Sequence, residues 1–176
     1  MRAIFFLIPV IAILTSCTPE DEGAFLFDIP YQASFVMPAG LDPFQGHFFV
    51  NRIDSRMAAN LSERLLAAED VISIDPRSAS ISAIGSNARY DMIREISVRI
   101  YNENPQSNSL APWLELFYRD DENLRNAGST IDLLPTQVNA RDEALEDEFY
   151  IVVLVFLRAP TIQTIDTRLD LSLVVR

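Results

Sequence analysis

The chain has 176 residues, nearly half of them apolar, and 25 acidic against 14 basic side chains give a formal net charge of −11. That length suits one domain with a core of its own, and the acidic field repels nucleic acid and anionic headgroups, which excludes both as partners. Every basic residue is an arginine, which removes Schiff-base chemistry, a phosphate-loop lysine and a lysine general base together.

The first element in chain order is a targeting segment. Met1-Arg2 precedes the apolar run Ala3 to Leu14, which ends in Leu14-Thr15-Ser16-Cys17. A charge, a short apolar stretch and small residues in that order read as a secretory signal. The run is well short of the roughly 20 apolar residues a membrane span needs, and Pro9 lies inside it. The last four residues resemble the lipobox of bacterial lipoproteins, and the only cysteine of the chain stands where the lipobox requires it. The resemblance covers this signal alone. It implies removal of residues 1–16, acylation of Cys17 with two or three chains, and firm attachment, since each buried methylene adds about 0.8 kcal/mol. Cys17 to Gly23 is then the acylated residue and its tether, and residues 24–176 form a single domain. The tether reaches roughly 20 to 25 Å, so the domain sits close to its membrane. With Cys17 acylated no disulfide can form, and packing alone must hold the fold.

Thr18 to Gly23 is polar and turn-prone. Its acidic cluster resembles the surface-export signal of lipoproteins in some Gram-negative lineages, and Thr18 stands where the inner-membrane retention signal has aspartate. The expected location is the outer membrane, lipid-anchored, with a lean to surface exposure.

From Phe25 the pattern has period two. Phe25, Phe27, Ile29, Tyr31, Ala33, Phe35 and Met37 share a face, as in a half-buried strand, and Pro30 within the run indicates an edge or a bulge. Pro38 to Gly46 is a loop, and His47 to Ile53 a second strand. Asp54 to Asp70 reads as the one amphipathic helix, with Met57, Leu61, Leu65 and Ala68 at helical spacing. Val71 to Ile84 returns to strand character, interrupted at Asp75-Pro76.

Ile96, Val98 and Ile100 alternate with polar residues, and Leu114, Leu116 and Tyr118 follow after the loop Asn102 to Ser109. Thr130 to Leu134 is a short strand, and Gln137 to Glu148 a polar link with a helical turn. Phe149 to Leu157 is apolar throughout, as in a strand covered on both faces. Ile165 to Val175 alternates cleanly. Short strands at this spacing predict a mainly β domain, an antiparallel β-sandwich with one amphipathic helix.

The residues that carry chemistry are few. With one histidine, His47, and no free cysteine, zinc, copper, haem and iron–sulfur sites lack ligands. Calcium needs only oxygens, and Asp120, Asp121 and Asn123, between two strands, are the candidate ligands; otherwise no cofactor is expected. No G-x-S-x-G is present, and Gly23, Gly40, Gly46, Gly85 and Gly128 never cluster into a phosphate or dinucleotide loop. Trp113 and Tyr101, beside the Asn-rich loop, are the candidate ligand-binding aromatics: exposed on a rim they would stack on a sugar ring, and packed in the core they would be structural. The expectation is a membrane-anchored envelope lipoprotein whose domain binds or scaffolds another envelope protein without catalysis. The alternatives are a glycan-binding module and a carboxylate-based, calcium-dependent hydrolase. Oligomeric state is left open.

Overall fold

A computed structural model describes residues 23–85, 88–102, 113–120 and 122–176. The signal segment 1–16 and Cys17 lie outside the described residues. Eight strands follow one another as β1 (Phe27–Met37), β2 (Gly46–Asp54), β3 (Ile74–Ala83), β4 (Ile93–Tyr101), β5 (Leu114–Arg119), β6 (Thr130–Pro135), β7 (Glu148–Leu157) and β8 (Ile165–Val175). Two short helices interrupt them, α1 (Met57–Glu63) and α2 (Arg141–Ala144).

Every strand pairing is antiparallel. The first strand pairs with the last, β2 with β7, β3 with β6 and β4 with β5. That is the pairing of one long ribbon folded back at its middle. Further ladders, β3 with β8 and β4 with β7, roll the ribbon into the order β1-β8-β3-β6-β5-β4-β7-β2. Between β5 and β6 only Phe117 with Pro135 and Tyr118 with Leu134 are in register, and there the sheet turns over on itself. The result is two facing layers, β1-β8-β3-β6 and β5-β4-β7-β2, in the arrangement of a jelly roll. Where β1 and β2 approach, at the two ends of the order, Phe35 stacks on Phe49 at 4.7 Å between centroids.

The core lies between the layers. Phe27, Ile29, Tyr31, Ala33, Phe35 and Met37 of β1 all point into it, facing Phe149, Ile151, Val153 and Val155 of β7. Tyr31 meets Phe149 edge to face at 5.2 Å. Pro30 sits on β1, an outer strand of the order, where a residue without an N–H is tolerated. The interruption at Asp75-Pro76 is a register shift between Pro76 and Ser78 in the β3–β8 ladder.

The predicted helix is corrected. Helical spacing predicts one helix over Asp54 to Asp70, but α1 ends at Glu63 and a 3-10 turn at Ala68–Asp70 follows. Arg56 and Leu65 take left-handed backbone angles, φ 52° and 58°, one on either side of α1. Met57 and Leu61 are buried as expected, whereas Leu65 swings out to 94 % exposure. Ser55 fastens the helix start: its Oγ accepts from the Met57 N–H at 3.1 Å and donates to the Ala144 carbonyl at 2.8 Å. Phe25, expected in the first strand, precedes it and is exposed.

Candidate functional site

The two outer faces of the sandwich have opposite chemistry. On the first sheet, register aligns Gln32, Asp170, Ser80 and Asp132 in one row across four strands. Pro30, Ser172 and Ser78 form the next row, and Ser34, Arg168 and Ser82 the one after. Gln32 Nε2 donates to Asp170 at 2.7 Å, and Arg168 Nε donates to the same carboxylate at 2.8 Å. An open groove of about 640 Å³ runs over these side chains. It is a polar, solvated surface.

The second sheet turns apolar side chains outward. Phe48 and Val50 of β2 stand opposite Leu154 and Val152 of β7, which stand opposite Ser97 and Arg99 of β4. Trp113, just before β5, meets Phe48 edge to face at 5.5 Å, and its ring lies 5.7 Å from the Arg99 guanidinium. Contact with both β4 and β2 places the indole over β7, the strand between them. Hence Val152 and Leu154 are buried at 0 % and 5 % exposure although they lie on an outer face. This bears out the expectation that β7 is covered on both sides. Gly46 completes the packing: a Cβ there would lie 3.0 Å from Leu154 Cδ1 and from Phe156 Cε1, so any larger residue would make those side chains shift.

Phe48, Val50 and Tyr118 remain substantially exposed around this cover. Arginines rim the patch. Arg99 pairs with Glu115 at 3.2 Å, Arg52 with Glu148, and Arg94 lies over the Phe156 ring at 5.7 Å. The Ser97 hydroxyl and the Arg99 Nε are buried here and have no hydrogen-bond partner among the described residues. Aromatic residues and arginine are the types enriched in the centres of protein interfaces.

The residues singled out from sequence fall as follows. Trp113 is half-buried on this outer face, not in the core between the sheets. Tyr101, opposite Tyr150, is 3 % exposed and offers no free ring face for stacking. Asn102 is exposed, and residues 103–112 of the loop beyond it lie outside the described residues. Asp120 is exposed; Asp121 and the side chain of Asn123 lie outside the described residues. No group of three or more His, Cys, Asp or Glu side chains converges among the described residues. The ring of His47 is half-buried and donates through Nε2 to the Asp42 carbonyl at 2.7 Å. Sequence reasoning missed Phe48 and Val50 as surface residues. Their signal was the unbroken run Phe48-Phe49-Val50, which places apolar groups on both faces of one strand.

Two tyrosines are held protonated. Burial pushes Tyr31 up to about 12, and its Oη donates to the Ser55 carbonyl at 2.7 Å. Tyr90, also raised by burial, donates to Thr167 Oγ1 at 2.9 Å. Both lie in the core, where each ties a strand to a connecting segment. The Arg89 guanidinium beside Asp91 holds that carboxyl below its usual range.

No family model and no curated protein matches the chain. Among solved structures, the crystal structure of the decameric BFDV capsid protein is similar over 85 % of this chain and 97 % of its own, at 12 % identity and a TM-score of 0.36.

Proposed function

We propose that the protein is a lipid-anchored envelope lipoprotein, held at the outer membrane through acylated Cys17, whose jelly roll docks a protein partner of the envelope without catalysis. The observation that carries this reading is the contrast between the two outer faces. One is lined by polar side chains around Asp170, whereas the other presents Phe48, Val50 and Tyr118 around the Trp113 cover, with arginines at the rim. An exposed apolar patch rimmed by polar groups marks an interaction surface. The lipobox supports the anchoring.

The test is in-cell photo-crosslinking from a reactive residue at position 50, followed by mass spectrometry. Amine-directed reagents are unsuitable, because the chain lacks lysine and its mature N-terminus is acylated in this reading. One dominant envelope protein, recovered from position 50 and not from position 34 on the polar face, is the expected result. Recovery of glycan or of nothing from position 50 overturns the protein-docking reading.

A further inference from the structure

We infer that the end of the sandwich from which the chain leads back to Cys17 rests on the bilayer itself, with Phe25, Leu65 and Ile72 entering the interface of a zwitterionic lipid surface. This inference depends on the anchoring proposed above.

Three large apolar side chains crowd that end. Phe25 is 60 % exposed, Ile72 61 % and Leu65 94 %. Local bonds place each of them there. The Ile72 N–H donates to the Arg176 carbonyl, and Ile72 packs against Gly23, the first described residue after the tether. Phe25 precedes Leu26, whose N–H donates to Val175 at 2.9 Å. Leu65 follows Arg64, whose guanidinium lies 4.3 Å from the Phe27 ring at the start of β1. Arg141 ties down the intervening segment, donating to Val71 at 2.7 Å and to Ala68 at 3.0 Å. A leucine in the left-handed region is strained, and such strain persists only where surrounding bonds impose it. Here they do: the Leu65 N–H donates to Ser62 at 3.2 Å and the Leu66 N–H to Leu61 at 3.0 Å. The turn projects an apolar side chain away from the core.

The length of chain before Gly23 selects the occupant. The tether reaches roughly 20 to 25 Å, whereas the eleven residues of β1 span about 35 Å. The opposite end also carries exposed apolar side chains, Phe44 and Ile162, joined through the Gly40 N–H donating to Thr161 at 2.7 Å. A tether shorter than the strand keeps the domain from standing upright on that far end, whereas the end at Gly23 is held at the leaflet in every orientation.

Charge at the anchored end agrees with a zwitterionic surface. Asp28 pairs with Arg77, Asp75 with Arg176 at 3.1 Å, and Glu63 with Arg64 at 4.0 Å. Asp70 accepts from the Ala67 N–H at 2.7 Å. With Glu69 beside it, this end carries no basic surplus to attract anionic lipid.

The experiment uses the full lipidated chain in vesicles of phosphatidylethanolamine and phosphatidylcholine. Leu65→Cys, Ile72→Cys and, at the far end, Ile162→Cys each add a thiol to a chain whose own cysteine is acylated. Each thiol receives a fluorophore, and quenching by a lipid-borne nitroxide is read. Quenching several-fold greater at positions 65 and 72 than at 162 is expected. A chain that takes up labelled palmitate, stays on the vesicles and shows equal, weak quenching at all three positions overturns this inference and leaves the anchoring standing. A chain that takes up no palmitate overturns both.

Discussion

The two outer faces of this sandwich are built on the same pleat and the same antiparallel ladders, yet they bury different amounts of apolar surface. On the first sheet, the central outward rows hold Ser, Asp, Gln and Arg, and Gln32 across the ladder and Arg168 along β8 both donate to Asp170. On the second, Val152 and Leu154 are as buried as core residues because Trp113 closes over them. Backbone architecture does not decide which face is wet. A single aromatic side chain, reaching from the start of β5 across β4 to β2, converts one outer face into a thin third layer.

The contrast can be broken most severely from within. A charge at Leu154 would be buried without a partner, so Leu154→Asp costs about 4 kcal/mol or more. Ser34→Asp, at an exposed outward position on the other sheet, changes stability by no more than about 0.5 kcal/mol; equilibrium denaturation compares the two. Removing the cover tests it directly. Trp113→Ala exposes Val152 and Leu154 and lowers the unfolding free energy by about 2 to 3 kcal/mol, seen as a lower midpoint at unchanged slope.

A pH titration separates the shared core from both faces. Tyr31 ionises near 10 in the unfolded chain and at about 12 in the folded one, so the folded state resists phenolate formation. Its contribution is complete below pH 10 and is lost as pH rises through 12, a loss of about 2 to 3 kcal/mol. Tyr31→Phe should flatten that alkaline decline without altering either outer face. A modest stability effect is expected within the exposed patch. Phe48→Ser shifts stability by less than about 1 kcal/mol but abolishes crosslinking from position 50, whereas Asp170→Asn on the polar face leaves crosslinking intact.

Much of the fold was legible because period-two alternation reports burial directly. Ile29, Tyr31 and Phe35, and Leu169, Leu171 and Leu173, are core residues in the structure as in the pattern. Pro30 on an outer strand and the irregularity at Asp75-Pro76 followed from the missing proline N–H. The helix was over-read because Leu65 and Ala68 continue the spacing of Met57 and Leu61 by coincidence. Local pattern carries no record of the left-handed angle that turns the chain at Leu65. In β5, a register shift opposite Val98 and Arg99 buries both Leu116 and Phe117 and turns Tyr118 outward, which strict alternation missed. The place of Trp113 was not legible for a related reason. An indole looks equally at home in a core or folded over an outer strand, and only the order β4-β7-β2 shows which strand it covers.

The position of β8 bears on how the chain acquires its structure. It is the last of the eight strands in sequence, yet it lies between β1 and β3, which have no ladder with each other. During synthesis the first strand therefore waits, unpaired on both edges, until residues 165–175 have emerged. Closure joins positions about as far apart as this chain allows, which makes folding slow and late rather than vectorial. Throughout that interval the apolar row from Phe27 to Met37 is open to solvent, so a chaperone that holds extended apolar strands is the folding aid this topology calls for.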